Sequence, residues 1–338
     1  MGRKWSEEEI DDLINLRDKK WDWGSIGSKY GVSGDTARAT ARKRGGYGRP
    51  RPDKQGPELK MTDKDLREEM SSRGYYVEKL TPDKSDLRHS IDPSLFDGRV
   101  ARFGVFSCPH LCSKYQQITH LRSFYRHGED MGVRAWFCAG DLVDGIDVYR
   151  GQEYEIFQHG VDAQRDYAVE HFPKPNNGGK TYVISGNHDY SFMQKAGVDV
   201  IEQIASKRDD IEYLGSYGAY PNILGLNIYL QHGGGGNAYA RSYKMQKNIE
   251  QMAPDKKPDI YLLGHYHSSC ILLEYRNVTA FQLPSFQSQT PYARRHGWPG
   301  EIGGFIVTVT VNDRERKNGI SKMEFEFIPF YVPIDRDF

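Results

Sequence analysis

Five short apolar runs in this chain each end in side chains able to bind a metal. Residues 100–107 run into Cys108-Pro109-His110, 134–139 into Gly140-Asp141-Leu142-Val143-Asp144, and 180–185 into Gly186-Asn187-His188-Asp189. Residues 226–230 run into Gln231-His232-Gly233, and 258–263 into Gly264-His265-Tyr266-His267. Apolar runs of this length, closed by polar clusters, read as buried strands. Helical patterns lie between them, including 152–171, and the tail "GGFIVTVTVND" and "KMEFEFIPFYVPI" alternates as sheet strands do. Together these imply a layered α/β body with its chemistry on the loops leaving the strand ends. One histidine in such a place is usually structural. Five coincident strand ends predict a site.

Charge gives little general guidance, with 46 basic against 46 acidic residues. The distribution is more telling. Residues 1–56 hold 13 Lys/Arg and 9 Asp/Glu, so the rest of the chain carries a deficit of four. A basic head on a mildly acidic body suggests two jobs. No apolar run approaches the roughly 20 residues of a membrane span, and "MGRKWSEEEI" has no apolar signal core. Four cysteines (Cys108, Cys112, Cys138 and Cys270) in 338 residues are no disulfide framework. The expectation is a cytoplasmic protein in a reducing compartment, with thiols free to act as ligands.

The head, residues 1–46, reads as three short helices. Ser6 with Glu9 makes a capping box, followed by Ile10, Leu13 and Ile14 at helical spacing. Trp23–Tyr30 forms a second helix ended by Gly31, and Ser33 caps a third. Arg38, Arg42, Lys43 and Arg44 fall on that last helix and its far end, which resembles a helix-turn-helix module for DNA. A three-helix docking module with a solvated basic face is the alternative. Residues 47–97 read as a linker: "GGYGRPRPDKQGP" has no means of packing, Thr62 to Met70 is a short capped helix, and 81–97 is an irregular connector.

The strand-end motifs together resemble the calcineurin-like metallophosphoesterase superfamily, whose pattern is D-x-H, G-D-x-x-D, G-N-H-D/E, H and G-H-x-H. The resemblance covers roughly residues 98–338 and implies a four-layer αββα sandwich with a two-metal centre at the strand ends. Position by position, it gives one metal Cys108, His110, Asp141 and His267. It gives the other Asp141, Asn187, His232 and His265, with Asp141 bridging. His188 is then the non-ligand histidine that protonates the leaving group, oriented by Asp144, while a metal-bridging hydroxide attacks the phosphorus. The family's first aspartate is Cys108 here. A thiolate favours zinc or iron over manganese, although manganese stays possible; a cysteine that does not ligate would leave that first site weak.

The motifs read "GDLVDG" and "GNHD", which fits the family's protein phosphatases poorly. The likeness is closer to DNA-repair-type nucleases and small phosphodiesterases. Arg241 in the Gly-rich loop 232–247, with Tyr292, Arg294 and Arg295 in 285–300, supplies cations and an aromatic suited to phosphate and base. The same loops would serve as ordinary cover for the site. The expected function is a two-metal phosphodiesterase or nuclease acting on DNA. The alternatives are a phosphoesterase for a nucleotide or cyclic nucleotide, and a DNA-binding protein with a degenerate metal site.

Overall fold

A computed structural model describes residues 5–43, 88–312 and 319–338. The chain divides into two compact units, Met1–Lys79 and Leu80–Phe338. The helix expected at Thr62 to Met70, and Arg44, lie outside the described residues.

In the first unit three helices form where caps and periodicity put them: Glu7–Asp18, Trp23–Lys29 and Gly34–Lys43. Ser6 and Glu9 close the capping box, and Ser33 Oγ accepts the Thr36 N–H at 3.2 Å. Leu13, Leu16, Ile26 and Ala37 meet in a small core, covered by Trp5, Trp23, Tyr30 and Val32. Gly27 allows the second and third helices to touch, because a Cβ there would stand 2.7 Å from Gly34 N.

The second unit is a sandwich of two six-stranded sheets. In spatial order one sheet runs Ile320–Pro329, Gly303–Val311, Val100–Phe106, Ala135–Cys138, Lys180–Ser185, Ile211–Ser216. The other runs Arg88–Ser90, Gly218–Ile223, Leu226–His232, Ile260–Gly264, Val278–Gln282, Cys270–Tyr275. Alternation along each strand builds the layers. Phe103, Phe137 and Ile184 of one sheet meet Ile228, Leu262 and Phe281 of the other in the central core. Trp136 points the other way, into a second core with Leu121, Phe124 and Ile201 from the helices Ile118–Asp130 and Val200–Lys207. Tyr261 and Leu263 pack outward against Met245 and Ile249 of the helix Tyr243–Gln251. The result is helix, sheet, sheet, helix. Each fully buried Leu, Ile or Phe contributes about 1.5–3 kcal/mol to holding these layers.

The parallel pairs position the site. Val100–Phe106, Ala135–Cys138 and Lys180–Ser185 run parallel, as do Leu226–His232 and Ile260–Gly264, with His232 opposite Gly264. Parallel neighbours release their C-terminal loops on one edge.

Two segments differ from the sequence expectation. Residues 88–97 are no irregular connector: Arg88–Ser90 pairs with Tyr220–Asn222, and Ile91, Leu95 and Phe96 enter the central core. The strand is too short for its periodicity to show. Residues 152–171 are not one helical run: a single 3-10 turn, Gln152–Tyr154, precedes the helix Val161–His171. Gly160, at φ +87°, separates the two.

Candidate metal centre

The strand-end loops turn their side chains inward through an uncommon backbone conformation. Cys108, His110, Asp141, His265 and His267 have φ between +45° and +87°, a region non-glycine residues rarely adopt and one that clusters at functional sites. Neighbouring backbone secures it: the N–H groups of Cys108 and His110 donate to the carbonyls of Gly140 and Asp141, both at 3.0 Å. Gly140 has φ +86°, and a Cβ there would stand 2.6 Å from His232 Nδ1. A Cβ at Gly186 would collide with the Asp141 carboxylate.

Asp141 is buried between two histidine pairs. Its Oδ2 lies 3.1 Å from His232 Nε2 and 3.8 Å from His110 Nε2, and its Oδ1 accepts the His188 backbone N–H at 2.8 Å. On one side His110 Nε2 is 3.2 Å from His267 Nε2. On the other, His232 Nε2 is 3.1 Å from His265 Nδ1 and 3.0 Å from Asn187 Oδ1. The outer nitrogens assign the tautomers: His232 Nδ1 donates to Ala139 O at 2.7 Å and His265 Nε2 to Gly235 O at 3.0 Å. His232 Nε2, His265 Nδ1, Asn187 Oδ1 and Asp141 Oδ2 are then all lone-pair donors converging on one place. With Asp141 and His232 buried, acceptors facing acceptors are costly unless a cation stands among them, and outer-nitrogen bonds of this kind are what orient metal-binding histidines. The donor set fits a divalent metal.

Cys108 adjoins both pairs. Its Sγ groups with His110 and His267, and again with Asp141 and His232, with the ligand atoms of each group within 4.8 Å of one another. It is buried, and it accepts from Ser107 Oγ at 3.1 Å and from the His265 backbone N–H. Without a cation, burial and the Asp141 charge push the thiol well above its ordinary range.

The imidazoles around it are shifted in different directions. Burial, then the neighbouring His188, lowers His110; burial and His110 hold His267 well below the usual histidine range. Burial and His232 bring His265 down to about 4. Burial opposes charge on His232 too, but Asp141 outweighs it and the net shift is upward. Burial works against ionisation of Asp141, yet His232, His188 and His110 prevail and keep it well below the carboxylate range.

Asp144 is connected differently from the expectation. Its carboxylate Oδ1 is 3.0 Å from His110 Nδ1 and 3.8 Å from His188 Nδ1. His188 Nδ1 instead donates to the backbone carbonyl of Asp144 at 2.7 Å. Two amides complete the arrangement: Gln152 Nε2 donates to Asp144 O at 2.6 Å and to Oδ2 at 3.2 Å. Gln287 Nε2 donates to Oδ1 at 3.3 Å. Nothing in the sequence marks either glutamine. Asp189 was visible in "GNHD", but its task was not: its carboxylate accepts the N–H groups of Leu142, Val143 and Gly186, locking two of the loops together. Burial and the Asp141 charge push Asp189 up to about 7.

The centre opens into a cavity of about 430 Å³ that includes His188, Tyr149, Tyr217, Tyr266, Tyr292 and Trp298 in its lining. Tyr149 stacks on Tyr292 at 4.2 Å. Of the four loop residues singled out in the sequence, Tyr292 alone lines this cavity. Arg241 is held by Glu301 and lines a neighbouring cavity. Arg294 and Arg295 are exposed in the last turn of the helix Pro291–Arg295. Arg38 is exposed on its helix in the first unit.

Residues 101–287 match the calcineurin-like phosphoesterase family. Among curated proteins, the DNA polymerase II small subunit of Archaeoglobus fulgidus is 26% identical over 216 residues, covering 52% of this chain and 43% of that protein. Its namesake from Methanocaldococcus jannaschii is 30% identical over 193 residues, covering 47% of this chain and 32% of that protein. The chain spans less than half the length of these curated relatives. Among solved structures, a conserved uncharacterised protein of Streptococcus pneumoniae TIGR4 described as a predicted phosphoesterase aligns over 68% of this chain and 100% of its own, with 15% identity and a TM-score of 0.35. Zinc-complexed Vps29 of Entamoeba histolytica aligns over 68% and 99%, with 13% identity and a TM-score of 0.31. The matched stretch begins in the strand that delivers Cys108 and His110, runs through the loops of Asp141, Asn187, His232, His265 and His267, and takes up more than half of the chain, which therefore belongs to the calcineurin-like phosphoesterase family.

Proposed function

We propose that the chain is a two-metal phosphodiesterase acting on nucleic acid, with residues 98–338 doing the chemistry and residues 1–46 binding DNA. The observation that carries the reading is the convergence of His232 Nε2, His265 Nδ1 and Asn187 Oδ1 on the Asp141 carboxylate, opposite His110 and His267, at the mouth of an aromatic cavity. Cys108, His110, Asp141 and His267 would hold one ion; Asp141, Asn187, His232 and His265 would hold the other. When bound, such ions neutralise phosphoryl oxygens and make water acidic enough to attack at neutral pH. Cys108 favours zinc or iron. The chain's own work is to place the ester. His188, held through Nδ1 by the Asp144 carbonyl, keeps Nε2 for the leaving oxygen and can give it a proton. Tyr149, Tyr292 and Trp298 offer ring faces to a base. In the head, Arg38, Arg42, Lys43 and Arg44 would neutralise DNA phosphates.

The curated relatives, named as DNA polymerase II small subunits, favour a second reading: a subunit of a polymerase assembly whose centre is not catalytic. One experiment separates the two. The purified full chain should carry about two divalent ions and hydrolyse bis(p-nitrophenyl) phosphate, and Asp141→Asn should nearly abolish turnover while the fold persists. Wild-type turnover in Asp141→Asn, or none in the metal-loaded wild type, would leave the subunit reading in its place.

A further inference from the structure

We propose that the cavity beside the metal-centre cleft is a second nucleotide subsite, in which Lys244 takes the phosphate next to the scissile one while Trp298 and Tyr266 flank its base. This rests on the nucleic-acid reading above and deepens it: the substrate would be an oligonucleotide strand. The second cavity, about 540 Å³, shares Asn237, Tyr266, Trp298 and Pro299 with the first. A chain could therefore pass from one to the other without leaving the protein surface.

The glycine loop 233–236 makes that passage. A Cβ at Gly233 would stand 2.7 Å from the Tyr266 ring, one at Gly236 3.8 Å from Trp298, and one at Gly234 would meet nothing. Tyr266 OH donates to Gly234 O at 2.9 Å, fastening the loop across its own ring. The same loop links the centre to the cation: His265 Nε2 donates to Gly235 O at 3.0 Å, and Lys244 Nζ is 3.7 Å from where a Gly235 Cβ would be.

Charge separates the two cavities. No Lys or Arg lines the first, whereas Arg241 and Lys244 line the second. Arg241 is already paired with Glu301. Lys244 has no carboxylate partner among the described residues, and its ammonium lies over the Tyr266 ring, 5.7 Å from the centroid. A half-buried ammonium accompanied only by a ring face is a ready site for an anion. Trp298 and Tyr266 both line this cavity, and a ring accepts any base because every base has a π-face.

The test uses the full chain, trithymidylate (too short to engage a three-helix head) and bis(p-nitrophenyl) phosphate, which has no second phosphate. Binding of trithymidylate to the metal-free protein is read as a Kd across a salt series. Lys244→Ala should weaken it about tenfold and lower the salt slope by about 0.7 log units, the share of one single-strand phosphate. Lys244→Arg should restore both, and Trp298→Ala should weaken binding about 5-fold or more. With metal present, Lys244→Ala should lower the ratio of kcat/KM for trithymidylate to that for the nitrophenyl ester by a similar factor. An unchanged Kd, slope and ratio in Lys244→Ala, with unchanged melting temperature, overturns the subsite. Should wild type hydrolyse neither substrate yet bind trithymidylate through Lys244, the subsite stands and the phosphodiesterase reading falls. Should it hydrolyse the nitrophenyl ester while trinucleotide binding ignores Lys244, the reverse holds.

Discussion

The carboxylate of Asp144 lies closer to His110 than to His188: Oδ1 is 3.0 Å from His110 Nδ1 and 3.8 Å from His188 Nδ1, which donates instead to the Asp144 backbone carbonyl at 2.7 Å. One residue therefore aims a ligand with its side chain and the candidate acid with its main chain. The two roles come apart on mutation. Asp144→Ala should free His110 and cost about 10–100-fold in metal affinity, the usual effect of losing a ligand's outer partner. His188 should stay in place, since its acceptor is the backbone. Metal titration followed by calorimetry checks this; full affinity with only the acid function lost would return Asp144 to orienting His188.

His188 should act in the chemical step and leave metal content alone. Replacing it with alanine should cost about 10²–10⁴-fold in rate, the range of general acid catalysis. A nitrophenyl diester should suffer less than an alkyl or nucleoside diester, because nitrophenolate leaves without a proton. Rates on the two classes of ester, measured at equal metal loading, decide it. Equal losses would point to a structural role.

Much of this cluster was legible in the sequence because each candidate ligand follows an apolar run by a few residues. Strands such as 135–138 and 260–264 are buried on both faces and read as unbroken apolar runs. Short or half-exposed strands leave no such mark: Arg88–Ser90 has three residues, and Cys270–Tyr275 is exposed along part of its length. The strand-end side chains that cluster here were visible in the sequence, and those that hydrogen-bond to them were not. Gln152 and Gln287 reach Asp144 from 8 and 143 residues away in sequence, and no local pattern encodes such pairings. The tautomers of His232 and His265 depend on the carbonyls of Ala139 and Gly235, groups every residue possesses. Arg294 and Arg295, whose composition suits phosphate, are exposed at the end of a short helix, outside the lining of the cavity at the centre.

The head should bind DNA through phosphates. Changing Arg42, Lys43 and Arg44 together to alanine should weaken duplex binding and flatten its dependence on salt, by roughly 0.9 log units of slope for each phosphate no longer neutralised. Hydrolysis of bis(p-nitrophenyl) phosphate should continue at the wild-type rate, since that ester engages no DNA-binding surface. Fluorescence anisotropy across a salt series provides the measurement. An unaltered slope would make the three helices a docking module and remove the strongest support for DNA as the substrate.

Cys108 should ligate the ion beside His110 and His267. Its sulfur lies among their nitrogens and beside Asp141, in the position where the family carries an aspartate. The Ser107 hydroxyl and the His265 backbone N–H both point to that sulfur, which favours its anionic form. Burial and the Asp141 charge oppose ionisation in the metal-free protein, so the thiolate requires the cation, which holds a coordinating thiol deprotonated. Cys108→Asp should keep the centre and shift its preference from zinc or iron toward manganese, a harder ion suited to carboxylate. Cys108→Ala should weaken or empty this position while the one formed by Asn187, His232 and His265 stays filled. Substituting cobalt for the native metal gives the direct readout: a thiolate–cobalt charge-transfer band in wild type that disappears in both variants. A wild-type centre filled with cobalt and lacking that band would sink the assignment.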